Sequence, residues 1–285
     1  MSFPAGNCQR NFGKIQPFFL MIPATIGPHS RDLATTWNEL NRQQLLDVAK
    51  VLLVGYERVA TRLDALLAAL LQIPRRDFRQ LTPVHRINLR PLVHFLHGAT
   101  DYPPLTAQLL GVFLIGRKRY YGPREAFRNL RFDEFIHADT HYLRYLQTGG
   151  EHYLDQLVAV LYRPERAGYD PEAVDYAGDR REDFNEHLVA ARAKRLAALP
   201  DHYKHAVLLY YRGCRRLLEQ RYPYVFTEGT QQKASTSGWV DALHELAGGV
   251  HNLDATAHQG LANVLREMNR VLRQHEERQE QLQNR

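Results

Sequence analysis

The chain has 285 residues, 44% hydrophobic and 10% aromatic, with 37 Lys+Arg against 31 Asp+Glu and a formal net charge of +6. That apolar content is ample for a packed core and excludes a disordered chain, while a mild basic excess spread along the sequence does not by itself argue for nucleic acid. The two cysteines, Cys8 and Cys214, fit no metal or redox spacing, which points to a reduced, cytoplasmic protein.

Residues 1–14 are polar and rich in Gly and Asn and read as a frayed end. The apolar run from Pro17 to Pro23 is too short to span a bilayer and lacks a small-residue cleavage site, so it reads as a strand rather than a signal. Residues 16–22 and 29–33 are expected to form a hairpin across a turn at 23–28, which sets 1–35 apart as a small β region. Thr36 and Glu39 have capping-box spacing and predict a helix with Leu40, Leu45, Leu46, Ala49, Leu52 and Leu53 inward. Residues 62–73 are apolar around most of a helical circumference and belong to the centre of a core, with Pro74 closing the run. Thr82-Pro83 opens a further helix, expected to reach His97 and stop at Gly98. Residues 111–121 mix aromatic and β-branched side chains between glycines and predict a short β arm.

Residues 132–163 read as two amphipathic helices joined at Gly149-Gly150, with Phe132, Phe135, Ile136, Leu143 and Leu146 on one face and Leu154, Leu157, Val158 and Leu161 on the other's. The glycines allow the pair to fold back as an αα-hairpin. Asp139 falls inside the first apolar face. A buried carboxylate needs a cationic partner, and Arg163, Arg180 and Arg181 are the predicted candidates. Residues 164–184 form a long irregular stretch, either mobile or draped over the core. A second helix pair, 185–199 and 201–221, is divided at Pro200. Residues 228–238 are a linker, so 36–227 is a helical core domain and 239–285 a separate C-terminal helical segment. In that segment Trp239, Leu243, Leu246, Val250, Leu253, Ala257, Leu261, Val264, Met268 and Val271 make a heptad-like seam with one stutter. The predicted fold is mainly α: a multi-helix bundle of αα-hairpins with an N-terminal β-hairpin and a short β arm near 111–121.

Glu134, His137 and His141 lie at i, i+3 and i+7 on one helix, a spacing that can hold a metal. No second Glu-x-x-His accompanies them, and all three sit opposite the apolar stripe, so they are expected to face water with no metal or cofactor. His94 and His97 flank a helix end, where free carbonyls suit a histidine. His244, His251 and His258 flank the C-terminal seam. Arg117, Lys118, Arg119, Tyr120 and Tyr121, with Arg124 and Arg128, interleave cations and rings as a stacking surface for nucleic acid requires; an edge strand guarded by cations has the same composition. No phosphate loop, dinucleotide fingerprint, nucleophile elbow or cysteine–histidine signature is present, so no enzyme activity is expected.

Scattered positions resemble tail-cluster proteins of phages and prophages. They are Thr36-Trp37-Asn38-Glu39-Leu40 with Gln44-Leu45, Tyr121-Gly122-Pro123, Phe132-x-Glu134-Phe135-Ile136-x-Ala138-Asp139, and the run from Leu157 to Arg163. Gly238-Trp239 with Glu245-Leu246-Ala247-Gly248-Gly249 and a leucine-rich final helix is similar to the C-terminal part of the small helical proteins regarded as tail-assembly chaperones. The final helix is longer and more charged than that pattern. The resemblance implies a non-enzymatic assembly factor in the cytoplasm of a bacterial host, covering the apolar stripes of a tape-measure protein by helix-in-groove packing. Trp239, Leu243, Leu246, Val250, Leu261, Val264 and Met268 would then bind the helical client or a second copy of the chain. A nucleic-acid-binding or packaging accessory working through 117–128 is the less favoured alternative.

Overall fold

A computed structural model describes residues 22–26, 29–97, 103–173, 178–226, 239, 241–244 and 252–283. The chain is mainly α. Strands β1 (Ile22–Ile26) and β2 (His29–Leu33) pair antiparallel, Ile22 opposite Leu33 and Ile26 opposite His29. The first strand keeps Ile22 from the strand expected at 16–22 and otherwise occupies residues expected to turn; residues 16–21 lie outside the described residues. Thr36 and Glu39 do not open the first long helix. Glu39 takes the backbone N–H groups of Thr35 and Thr36 around a single 3-10 turn, Trp37–Glu39. Helix α1 (Arg42–Leu53) starts after it with its own capping box, in which Asn41 accepts from the Gln44 N–H and Gln44 accepts from the Asn41 N–H.

Helix α2 (Val59–Leu71) ends on Gln72 in the left-handed region, its N–H reaching back to Ala68. The short helices α3 (Arg75–Gln80) and α4 (Pro83–Leu89) follow. The helix expected to run from Pro83 to His97 tightens instead into a 3-10 segment, Arg90–Leu96, because Pro91 has no N–H to donate back along an α-helix. The predicted β arm is a hairpin, β3 (Val112–Ile115) and β4 (Lys118–Tyr121), turning through Gly116 and Arg117. It is tied to the core where Tyr121 and Arg163 exchange backbone hydrogen bonds of 2.7 and 3.1 Å. Phe113 stacks on Tyr162 at 4.3 Å.

The central hairpin forms as the sequence predicts. Helix α5 (Phe132–Thr148) ends at Gly149 (φ 67°), and α6 (Glu151–Leu161) folds back along it. Leu146 is a correction: it is 56% exposed, because the last turn of α5 puts Tyr145 against the core instead. The described residues of this stretch, 164–173 and 178–184, are draped over the core, pinned by the Glu165–Arg181 bridge and by Arg166 N–H to Arg180 and Glu182 N–H to Pro164. Helices α7 (Val189–Leu196) and α8 (Asp201–Arg221) complete the body, α6 packing on both and α8 packing on α1. Helix α9 (Leu253–Ala257) and the long α10 (Leu261–Gln283) both lie against α5. One continuous buried cluster runs from Leu33 to Met268, so the described part of 239–283 shares the core of the preceding helices. The expected linker, 228–238, lies outside the described residues.

Segment 103–110 crosses α8 and positions one wall of the molecule. Asn38 clamps it, its Oδ1 accepting from Thr106 and Ala107 N–H at 2.7 and 2.9 Å. Gly213 of α8 lies directly under it, so that a Cβ there would collide with the Leu105 backbone. Gly213→Ala is predicted to cost at least about 2 kcal/mol, because backbone cannot yield as a side-chain tip does. Gly111→Ala, with open space around the added methyl, should stay within about 0.5 kcal/mol. Urea unfolding of the two variants checks this; equal midpoints would contradict the close approach.

Candidate functional site

Helix α5 carries two buried carboxylates on different sides, and each assembles a separate set of chain segments. Asp139 is fully buried. Its Oδ1 accepts from Arg215 Nε at 2.6 Å and from the Tyr211 hydroxyl at 3.1 Å, both on α8, and its Oδ2 accepts from Trp239 Nε1 at 3.0 Å. Burial was predicted; the partner was not. None of Arg163, Arg180 and Arg181 reaches it. Arg215 and Tyr211 stand four apart on one face of α8 and so arrive together. Burial opposes the Arg215 charge, but Asp139 outweighs it and holds the guanidinium pKa above its usual value. Burial and then Asp139 push the Tyr211 phenol well up, so it stays a donor.

Glu134 is the second correction. Expected to face water, it is 1% exposed and accepts from Arg163 and Arg181, each with its guanidinium 2.9–3.0 Å away. Asp179 closes the group by pairing with Arg181 at 2.7 Å. The two arginines also satisfy carbonyls at chain reversals: Arg163 donates to Val160 and Glu182, and Arg181 donates to Leu161. Burial depresses the Arg163 guanidinium, Glu134 offsetting only part of it. Arg181, with both Glu134 and Asp179, is held above the usual value against burial. Two of the three arginines named for Asp139 thus serve the other carboxylate, and the third, Arg180, pairs with Glu165 instead.

The predicted client seam is also redirected. Trp239 is 4% exposed and sits edge-on to Phe132, Phe135 and Phe226, with centroids 5.2–6.0 Å apart. Leu261, Val264 and Met268 are buried in the same cluster, with Leu265 beside them, and Leu243 is half-buried against it. Backbone bonds from Phe132 N–H to Gln259 and from Leu261 N–H to Leu130 fix the start of α10 beside the start of α5. The described seam residues therefore cover the chain's own core; Leu246 and Val250 lie outside the described residues. Asn269 still accepts from the Tyr224 N–H at 3.0 Å; beyond it Val271, Leu272 and Leu282 are exposed by 42, 41 and 71%.

His137 meets Glu186 at 3.0 Å, and burial lowers its pKa. Burial takes His141 down to about 4. Among the described residues no group of three His, Cys, Asp or Glu side chains is placed to hold a metal ion. Burial pushes the Cys214 thiol up to about 12, which leaves it without nucleophilic character at neutral pH. On the β3–β4 hairpin Arg117, Lys118 and Arg119 are exposed, but Tyr120 is buried. Arg180 covers the Tyr121 ring at 4.1 Å. The cations are presented to solvent without free rings between them. No helix among the described residues is long and apolar enough to cross a membrane.

Comparison with family models, with curated proteins and with solved structures finds no match in any of the three.

Two buried carboxylates of equal rank on α5 set the expected mutational response. Asp139→Ala and Glu134→Ala should each cost on the order of 3–5 kcal/mol, since each strands buried cations without a counter-charge. Asp183→Ala, which removes a partner 75% exposed to solvent, should cost below about 1 kcal/mol. Thermal melts of the three variants are the check. A Glu134 variant as stable as the Asp183 variant would contradict the second network.

Proposed function

We propose that this chain is a non-enzymatic assembly factor that holds a helical client, and that it acts in phage tail assembly with a tape-measure protein as the client. The observation that carries the reading is α10. Its first two turns are locked onto the core through Leu261, Val264, Leu265 and Met268, and its remaining length stands clear with Val271, Leu272 and Leu282 exposed. A rigidly based helix that carries exposed Val271 and Leu272 just past its anchored turns offers one half of a helix pair. The resemblance of the Gly238-Trp239 and Glu245–Gly249 positions to tail-assembly chaperones supports the narrower assignment. The contact residues shift accordingly: Trp239, Leu261, Val264 and Met268 anchor the helix, and the part past Met268 meets the client or a second copy of the chain.

A second reading has one observation in its favour. Arg117, Lys118 and Arg119 cluster at an exposed hairpin with no acidic partner among the described residues, which suits phosphate contacts. Buried Tyr120 and covered Tyr121 deprive it of base stacking.

The test is co-expression with a long helical tape-measure protein, scoring the client's soluble yield. A chain ending after Asn269 keeps every anchoring residue and should fold normally, yet lose at least half of the rescue. Val271→Asp with Leu272→Asp should do the same at full length. Equal rescue by the full and shortened chains, or rescue by neither, removes the mechanism. DNA retention that weakens with salt and disappears in R117Q/K118Q/R119Q would favour the second reading instead.

A further inference from the structure

A cleft of about 750 Å³ opens between α1, α2, the 3-10 segment Arg90–Leu96, segment 103–110 and α8. Its volume lies in the range of small-molecule sites. The floor is apolar and aromatic: Trp37, set edge-to-face on Phe95 at 6.1 Å, with Leu105, Tyr142 and Leu209. The rim is cationic. Arg62, Arg212, Arg215 and Arg216 line the cleft against a single carboxylate, Glu219, and Glu219 already accepts from Arg215. Arg215 also serves Asp139 from within the core.

Arg62 and Arg212 have no acidic partner among the described residues. A second observation is independent of charge. Arg62 Nε and His97 Nδ1 are buried nitrogens without a hydrogen-bond partner, and both residues line this cleft. A buried polar group left without its hydrogen bond costs about 1–3 kcal/mol, and a partner entering the cleft would remove that cost. Two such atoms lie on facing elements, α2 and the end of the 3-10 segment, and an occupant of the cleft would supply the partners they lack.

We propose that this cleft is a binding site for a small organic anion: a carboxylate or phosphate held by Arg62 and Arg212, with an apolar body lying on Trp37, Phe95 and Tyr142. Guanidinium forks match the paired oxygens of either headgroup, and the aromatic floor takes the remainder of the molecule. The site is separate from the protruding part of α10 and does not depend on the assembly role. Its link to the core runs through Arg215, which touches both the cleft and Asp139.

The probe is 8-anilinonaphthalene-1-sulfonate, an aromatic anion whose fluorescence rises on binding, titrated into the full-length protein. One saturable site is expected. N-phenyl-1-naphthylamine, with the same rings and no charge, should bind at least about tenfold more weakly, and Arg62→Gln with Arg212→Gln should weaken the sulfonate by about the same factor. Arg212 is exposed and Arg62 half-buried, and neither pairs with a carboxylate of the core, so near-UV circular dichroism should match the parent, and Arg117→Gln on the distant hairpin should bind as the parent does. Displacement by benzoate or by phenyl phosphate separates a carboxylate from a phosphate ligand. Equal binding of the neutral analogue, unaltered affinity in the double variant, or displacement by neither anion would overturn the proposal.

Discussion

A carboxylate buried at the middle of α5 constrains everything around it. Asp139 has no water to hydrogen-bond, so its oxygens must be supplied by protein donors, and the chain supplies three: Arg215 and Tyr211 from α8 and Trp239 from beyond the second long helix. Satisfying them fixes the separation and rotation of α5 and α8. It also seats Trp239 among Phe132, Phe135 and Phe226, while the start of α10 is held by backbone bonds to the start of α5. The pair is not an argument for high stability, because desolvation offsets much of the attraction; it argues for one arrangement over its neighbours, since any shift of register strands a charge.

With Glu134 closing a second network on another side, α5 is spent on architecture. Arg163 and Arg181 hold the reversal after α6 and the draped stretch beyond it to the same helix. Surfaces left to act on other molecules are therefore peripheral: the far half of α10, the cationic β3–β4 hairpin and the arginine-rimmed cleft beside α8. An assembly factor that must hold a client and release it fits this division, in which a rigid centre presents contacts from its edges.

The parts of the fold legible in the sequence were those with local causes. Gly149 and the 3.6-residue spacing gave the α5–α6 hairpin, Pro200 the break before α8, and glycines around aromatic and β-branched residues the β3–β4 arm. Asp139 stood out because it interrupted an apolar stripe. Its partner did not, because Arg215 lies far along the chain and arginines nearer in sequence looked equally suitable; only the position of Arg215 one turn past Tyr211 on the buried face of α8 hints at it. A single hydrophobic stripe places Glu134 in water because it does not reveal that α5 is packed on more than one side. The seam at 239–268 is apolar and periodic in the sequence, yet periodicity is silent about whose core its residues cover. The cleft had no sequence signature at all, being assembled from Trp37, Arg62, Phe95 and Arg212 by tertiary packing.

The most direct test of this account is a double-mutant cycle between Asp139 and Arg215, with Asp139→Asn, Arg215→Met and the combined variant unfolded in urea. If the carboxylate organises α8 through Arg215, the combined variant will be more stable than the sum of the two single losses allows, by at least about 1 kcal/mol. Losses that simply add would mean that the two residues do not depend on each other, and the central claim would fail.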